Sequence, residues 1–318
     1  MRNIFVINPH SGKKRRQRKL IADIEAAASK LGLQCEVYYT KAAKDGERYI
    51  KDICETNAAS GEQLRIYACG GDGTINEAVN GAFGYENVEI GAVPMGTGND
   101  YIRNYGTATD FLDMERQLTG TSVSSDLIRY DAEYNGVTTS GYCANMFNIG
   151  FDCNVVDMTA RVKNWPLVGG TLAYLISVAI ILIRKKGADL RICYPDGRES
   201  DGKILLVAIA NGCYCGGGVK GVPYCKLDDG LMDVSVVENI SRSLFLALFP
   251  SYSKGTHMQK RAIREKHIIK YTKEKLLTVI ANGESLRLCT DGEITTQKKI
   301  DFSVVHDAFR FVVPAPAR

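Results

Sequence analysis

A chain of 318 residues is long for a single core and suits two domains of roughly 100 to 200 residues each. Its 40 lysines and arginines face 36 aspartates and glutamates, and a net charge of +4 gives no reason to expect nucleic acid as a partner. The 10 cysteines include no Cys-x-x-Cys pair, and several lie in apolar strand-like runs (Cys69, Cys143), which argues for reduced thiols in a cytoplasmic protein rather than a disulfide scaffold.

The apolar run Met1 to Ile7 is too short for a signal peptide and enters a strand pattern at once. Asn3 to Asn8 reads as a buried strand. Lys13 to Leu31 reads as a helix, because Leu20, Ile24, Ala27, Ala28 and Leu31 recur at helical spacing before a Gly32 stop. Gln34 to Thr40, Leu64 to Cys69 and Val88 to Val93 follow as strands, separated by helices over Gly46 to Asn57 and Ile75 to Ala82. Strands alternating with helices predict a parallel sheet covered on both faces.

After Asp126 the pattern changes. Leu127 to Glu133 and Val137 to Ile149 flank Asn135-Gly136, a strong hairpin signal. Leu190 to Tyr194, Lys203 to Asn211, Leu231 to Glu238, Ile268 to Tyr271, Leu276 to Ala281, Ser285 to Cys289, Ile300 to Val305 and Phe309 to Val313 are further strand candidates. One helix is expected within Pro166 to Ile183 and another from Ser243 to about Tyr252. This part reads as a mainly antiparallel β-sandwich. The uncharged stretch Trp165 to Ile183 admits three readings: a membrane span, a buried core helix, or a helix facing amphiphiles beside Arg184, Lys185 and Lys186.

Three short runs carry the chemistry: Asn8-Pro9-His10-Ser11-Gly12, Gly70-Gly71-Asp72-Gly73-Thr74 and Gly96-Thr97-Gly98-Asn99-Asp100. Each follows a strand and leads into a helix-like segment, so all three fall at the carboxyl edge of the predicted sheet, where open α/β sheets bind ligands. Glycine lets the backbone approach a phosphate, and a following helix directs N–H groups at the anion. One such run marks an ordinary turn; three together read as a split phosphate floor. Lys13 to Lys19 places six cations in seven positions directly after the first run, as a solvated face or a phosphate or membrane contact.

Gly70-Gly71-Asp72-Gly73-Thr74 with Asn76-Glu77, Asn8-Pro9-x-Ser11-Gly12, Gly96-Thr97-x-Asn99-Asp100, Leu227-Asp228-Asp229-Gly230 with Asp233, and Asp291-Gly292-Glu293 resemble the motif series of the diacylglycerol kinase catalytic family, in its soluble bacterial branch. The resemblance runs from Asn3 to Pro314. It implies an α/β nucleotide domain over 1–126, joined by a returning strand at about 306–318, and a β-sandwich lipid-binding domain over 127–305. It implies an ATP- and Mg2+-dependent lipid kinase, with diacylglycerol the expected acceptor and phosphatidic acid the product. A homodimer acting on lipid at the inner face of the membrane, as a peripherally associated cytoplasmic protein, is also implied.

The backbone of Gly12, Gly70, Gly71, Gly73 and Gly98 and the side chains of Asn8, Ser11, Thr74, Thr97 and Asn99 would cradle phosphates. Arg15 could reach a phosphate oxygen, and Thr40 the nucleotide. Asp72 among phosphates calls for a cation, since like charges a few ångströms apart repel strongly in a partly dry site; Mg2+ needs only one or two carboxylates beside the ATP oxygens. By resemblance, Asp126 and Asp291 join Asp72 at the reacting centre, Asp291 as general base and Glu293 helping to hold the metal or nucleotide. The resemblance further implies a structural Mg2+ on Asp229 and the carbonyls of Lys226 and Leu231. His10, His257 and His267 lack paired metal spacing, and His306 reads as structural. Two other functions stay open: a soluble-substrate kinase of the NAD kinase type, which leaves Asp291-Gly292-Glu293 unexplained, and a nucleotide-sensing membrane module without turnover.

Overall fold

A computed structural model describes residues 1–162, 176–178, 180–181 and 187–317. The chain divides into two compact units, one formed by Met1–Asp126 with His306–Arg318 and the other by Leu127–Val305.

The first unit is a parallel sheet of β1 (Arg2–Ile7), β2 (Cys35–Tyr39), β3 (Leu64–Gly70) and β4 (Val88–Pro94), ordered β2-β1-β3-β4. Strands β1, β3 and β4 are buried almost throughout, as continuous apolar runs covered on both faces should be. Helix α1 (Lys14–Leu31) sets Leu20, Ile24 and Ala27 against Phe5, Ile7 and Tyr67. It ends at Gly32, whose φ of 64° lets its own N–H and that of Leu33 close on the Ser29 and Ala28 carbonyls. Helices α2 (Asp45–Ala58) and α3 (Asp72–Ala82) pack against each other so closely that a Cβ on Gly81 would lie 2.5 Å from the Glu47 carbonyl oxygen. The short helix α4 (Met114–Leu118) completes the layer around α1.

The second unit is antiparallel. Strand β5 (Thr121–Tyr134) enters it and turns back as β6 (Val137–Cys143) through Asn135-Gly136, both at positive φ as a two-residue hairpin requires. The expected single strand Val137 to Ile149 is in fact two. The Ala144 and Asn145 carbonyls accept hydrogen bonds from Asn211 and Gly212, so the chain breaks there and β7 (Met146–Gly150) pairs with other partners. Helix α5 (Phe151–Val162) follows. Strand β8 (Ala188–Cys193) pairs with the first half of β9 (Glu199–Ala210), whose second half lies between β7 and β10 (Met232–Glu238).

Helices α6 (Arg242–Ser253) and α7 (Arg261–Glu265) precede β11 (Ile269–Glu274) and β12 (Leu276–Ala281). Strands β13 (Leu286–Thr290) and β14 (Glu293–Gln297) form a second two-residue hairpin, and β14 went unpredicted because it is short and polar. The predicted strands Ile300 to Val305 and Phe309 to Val313 are one strand, β15 (Lys299–Val313). Asp307, at φ 50°, kinks it and turns its N–H to the Asp126 carboxylate, which is why the polar His306-Asp307 pair reads as a break. In the first unit the end of β15 lies parallel to β4, with Arg310 beside Glu89. The sandwich core gathers Phe147, Ile192, Ile209, Val234, Val279 and Phe302.

Most of Trp165 to Ile183 lies outside the described residues; of it, Ser177, Val178 and Ile181 are buried, the last two in a cluster with Leu205, Leu206 and Phe245. Among the described residues no helix is long and apolar enough to cross a membrane.

Candidate functional site

In the first unit the strand order reverses between the parallel neighbours β1 and β3, and there the three glycine runs meet. Asn8 leaves β1 with its N–H on the Cys69 carbonyl, and its side chain accepts from the His10 N–H at 2.9 Å and approaches Thr74 Oγ1 at 3.5 Å. Ser11 N–H closes the turn onto Asn8. At Gly12, φ 75°, an added Cβ would sit 3.3 Å from both the Met95 carbonyl and its terminal methyl, which ties the first loop to the third. The Met95 and Gly96 N–H groups both reach the Gly70 carbonyl.

Two of these glycines are dictated by the protein itself. A Cβ on Gly96 would lie 2.6 Å from the Gly71 Cα, and one on Gly70 2.0 Å from Thr74 Oγ1. Gly73 is the opposite case, with nothing within 4 Å of where its Cβ would be. It stands in the first turn of α3, where alanine would stabilise the helix by about 0.5–1 kcal/mol, so packing gives no reason for glycine there. The open space in front of Gly73, at a helix N-terminus without a side-chain cap, fits a bound phosphate.

Asp72 Oδ1 accepts the N–H groups of Asp100 and Tyr101 at 2.7 and 3.0 Å, pinning the Gly96–Asp100 loop to α3. Burial pushes its carboxyl above the usual carboxylate range, opposed by those same N–H groups. Its Oδ2 and that of Asp100 converge on Gly98, at 3.0 and 3.2 Å from where a Cβ would be. Two carboxylates facing one glycine, with the half-exposed Arg103 at 3.5 Å from Asp100, suit a divalent cation. Asn99, φ 50°, folds its amide back onto the Gly96 carbonyl, and Thr97 is exposed.

Thr40 stands one strand further out, its N–H on the Ile7 carbonyl and its methyl 3.4 Å from where a Gly46 Cβ would be. Arg15 is exposed, and the cation that reaches the loops is its neighbour Arg16, which donates to the Pro94 carbonyl at 2.8 Å. The first turn of α1 carries no acid to offset its cations at the positive end of the helix dipole, an arrangement that an anion would relieve. Asp126 is fully buried; its Oδ1 lies 2.7 Å from His306 Nδ1 and accepts the Asp307 N–H at 2.9 Å. His306 thus has a definite carboxylate partner, which no local spacing announced because the two residues are 180 positions apart.

The second unit holds Asp291 and Glu293 on the β13–β14 hairpin. Asp291 and Gly292 form its tip at φ 45° and 98°. The Asp291 carboxylate accepts the Met146 N–H at 3.1 Å and the Cys143 thiol at 3.2 Å. Burial, then the nearby Asp291 charge, pushes the Cys143 thiol well above its ordinary value, so it remains a donor. Glu293 is exposed beside it in sequence.

Asp229 holds a cation of the protein's own. Its Oδ2 lies 2.7 Å from Lys273 Nζ, and its Oδ1 accepts the Leu231 N–H at 3.2 Å. The Lys273 ammonium thus meets the carboxylate of the loop with Lys226 and Leu231, where the resemblance implies Mg2+. Elsewhere in this unit, β9, β10, β11, α6 and α7 line an apolar pocket that includes Leu206, Val237, Phe245, Phe249 and the fully buried His257. Burial pulls His257 down to about 4, against the Ser251 carbonyl, so the ring is neutral near pH 7.

The chain matches the family of the diacylglycerol kinase catalytic domain over residues 2–130 and that of the YegS C-terminal NAD kinase beta sandwich-like domain over residues 145–313. It is 29% identical over 301 residues to a diacylglycerol kinase of Staphylococcus carnosus, covering 94% of this chain and 90% of that protein. It is 28% identical over 291 residues to a Stenotrophomonas maltophilia protein named "Probable lipid kinase YegS-like", covering 89% and 88%. A crystal structure of a diacylglycerol kinase from Bacillus anthracis, 18% identical, covers 99% of this chain and 97% of its own with a TM-score of 0.69, and so shares the fold. With its glycine-lined parallel sheet and its antiparallel sandwich both matched, the chain belongs to the diacylglycerol kinase and YegS-like lipid kinase family.

Proposed function

We propose that this protein transfers the γ-phosphoryl group of ATP to a lipid hydroxyl in a Mg2+-dependent reaction, with diacylglycerol as acceptor and phosphatidic acid as product. The observation that carries the reading is the pairing of Gly96, where the protein leaves no room for a side chain, with Gly73, where a helix N-terminus without a side-chain cap faces open space that a phosphate would fill. Bound Mg2+ supplies neutralisation of the triphosphate charge. Asp72 would hold it, with Asp100 beside it.

The protein's own groups do the rest. Main-chain N–H groups of Gly70, Gly71, Gly73 and Gly98, with Asn8, Ser11, Thr74, Thr97 and Asn99, bind the phosphates. Asp126, oriented by His306 and the Asp307 N–H, would serve as a further fixed carboxylate at the reacting centre, as the family resemblance implies. Asp291 takes the proton of the lipid hydroxyl as its oxygen bonds to the γ-phosphorus and the bond to the departing ADP oxygen breaks. The Met146 N–H and Cys143 thiol keep that carboxylate oriented. The apolar pocket under α6 supports binding of an acyl chain, and the exposed cations of Lys13 to Lys19 support contact with an anionic membrane face.

The test is incubation with γ-labelled ATP, Mg2+ and mixed micelles carrying diacylglycerol, ceramide, a sphingoid base, phosphatidylglycerol or a polyprenol. Label is expected in phosphatidic acid. Label in another lipid alone would overturn the choice of acceptor. Labelling of NAD instead, or nucleotide binding with no transfer to any lipid, would overturn the lipid kinase reading.

A further inference from the structure

Strands β10 and β11 are antiparallel neighbours, and their register sets Asp233 directly opposite Lys273. The Lys273 ammonium bridges two carboxylates, at 2.7 Å from Asp229 Oδ2 and 3.1 Å from Asp233 Oδ2. Asp233 is fully buried, and its other oxygen accepts the Tyr271 hydroxyl at 2.6 Å. Asp229 Oδ1 is occupied by the Leu231 N–H across the tight turn at Gly230, φ 70°. We infer that the Lys273 ammonium takes the place of a structural divalent ion, so that the loop from Lys226 to Leu231 closes on the sandwich without metal.

The charges favour this arrangement. A divalent ion on Asp229 would stand within a few ångströms of a fixed ammonium, and the two cations would repel. Displacing Lys273 instead would strand Asp233, a buried carboxylate whose one ion pair among the described residues is with this ammonium. Burial pulls the Lys273 ammonium down, but its hydrogen bonds to Asp229 and Asp233 outweigh that and raise it, so it keeps its proton at neutral pH. Unlike charges directly opposite on neighbouring strands also favour the pairing, where like charges would oppose it.

Thermal unfolding of the full chain without nucleotide, in EDTA and in millimolar MgCl2, tests the inference independently of any kinase activity. The wild-type midpoint is expected to agree between the two conditions to within about 1 °C. Lys273→Met, which keeps the length and removes the charge, is expected to lower the midpoint in EDTA by about 4 °C or more and to recover part of the loss in Mg2+. A Lys273→Met midpoint equal to wild type in EDTA would overturn the inference. Should that variant not fold, Mn2+ binding to the wild type and to Asp229→Asn, followed by water proton relaxation, decides the matter. Equal binding is expected, and a site present in the wild type but lost in Asp229→Asn would overturn it.

Discussion

In the first unit the groups placed for an anion are main-chain groups uncovered by missing side chains; in the second the polar work falls to side chains held on hairpins and across strand pairs. Gly71 and Gly96 let two loops touch backbone to backbone, and that contact fixes where their N–H groups point. Asp291 depends instead on a two-residue turn at positive φ and on donors from Cys143 and Met146. The comparison teaches that the two regions should respond differently to substitution. A methyl group is the largest insult to the first, and loss of one charge the largest to the second.

Asp291→Asn gives the largest effect. Asparagine suits the same turn and can still accept the Met146 N–H, so folding and nucleotide affinity should hold while kcat/KM falls by about 10²- to 10⁴-fold; steady-state kinetics beside nucleotide titration checks both. A rate near wild type would leave Asp291 as a turn residue alone. Gly96→Ala comes next, because its methyl meets main chain that has nowhere to move. Nucleotide affinity is expected to fall by about a hundredfold, or ~2.7 kcal/mol, by calorimetry.

His257 sharpens the picture of the second unit through pH. Its pKa falls from 6.5 to about 4 on burial, so the unfolded chain binds the extra proton in that window and stability declines as pH drops through it. Unfolding free energy should fall by about 2 kcal/mol more between pH 7 and 5 in the wild type than in His257→Leu, measured by denaturant titration. Parallel slopes would show that His257 does not titrate this way. The smallest effect has two signs. Gly73→Ala should stabilise the ligand-free protein by about 0.5–1 kcal/mol and yet weaken nucleotide binding, whereas Gly96→Ala lowers both. A Gly73→Ala protein that binds nucleotide as tightly as wild type would remove Gly73 from the floor.

Much of this was legible locally. Helix and strand periods placed β1 to β4 and α1 to α3, since a buried parallel strand and an amphipathic helix each write their pattern into neighbouring residues. Asn135-Gly136 declared its hairpin for the same reason, and Asp291-Gly292 uses the same turn chemistry. Strand β14 is too short and polar to announce itself, and two other misreadings fell where a distant partner overrode the local pattern. Ala144 and Asn145 break a strand to receive Asn211 and Gly212, and His306-Asp307 looks like a stop but lies inside β15 because Asp126 takes the Asp307 N–H.

Neighbouring residues were enough to give the element order of the first unit, the three glycine loops at its carboxyl edge and the family motifs, because steric freedom at glycine and hydrophobic period are properties of adjacent residues. Which glycines are forced by packing and which face open space emerged from the folded chain. It alone paired Asp126 with His306 and gave Asp229 the Lys273 ammonium, 44 residues away, where a metal was expected. Close approach and charge pairing depend on distances through space, and no spacing along the chain encodes them.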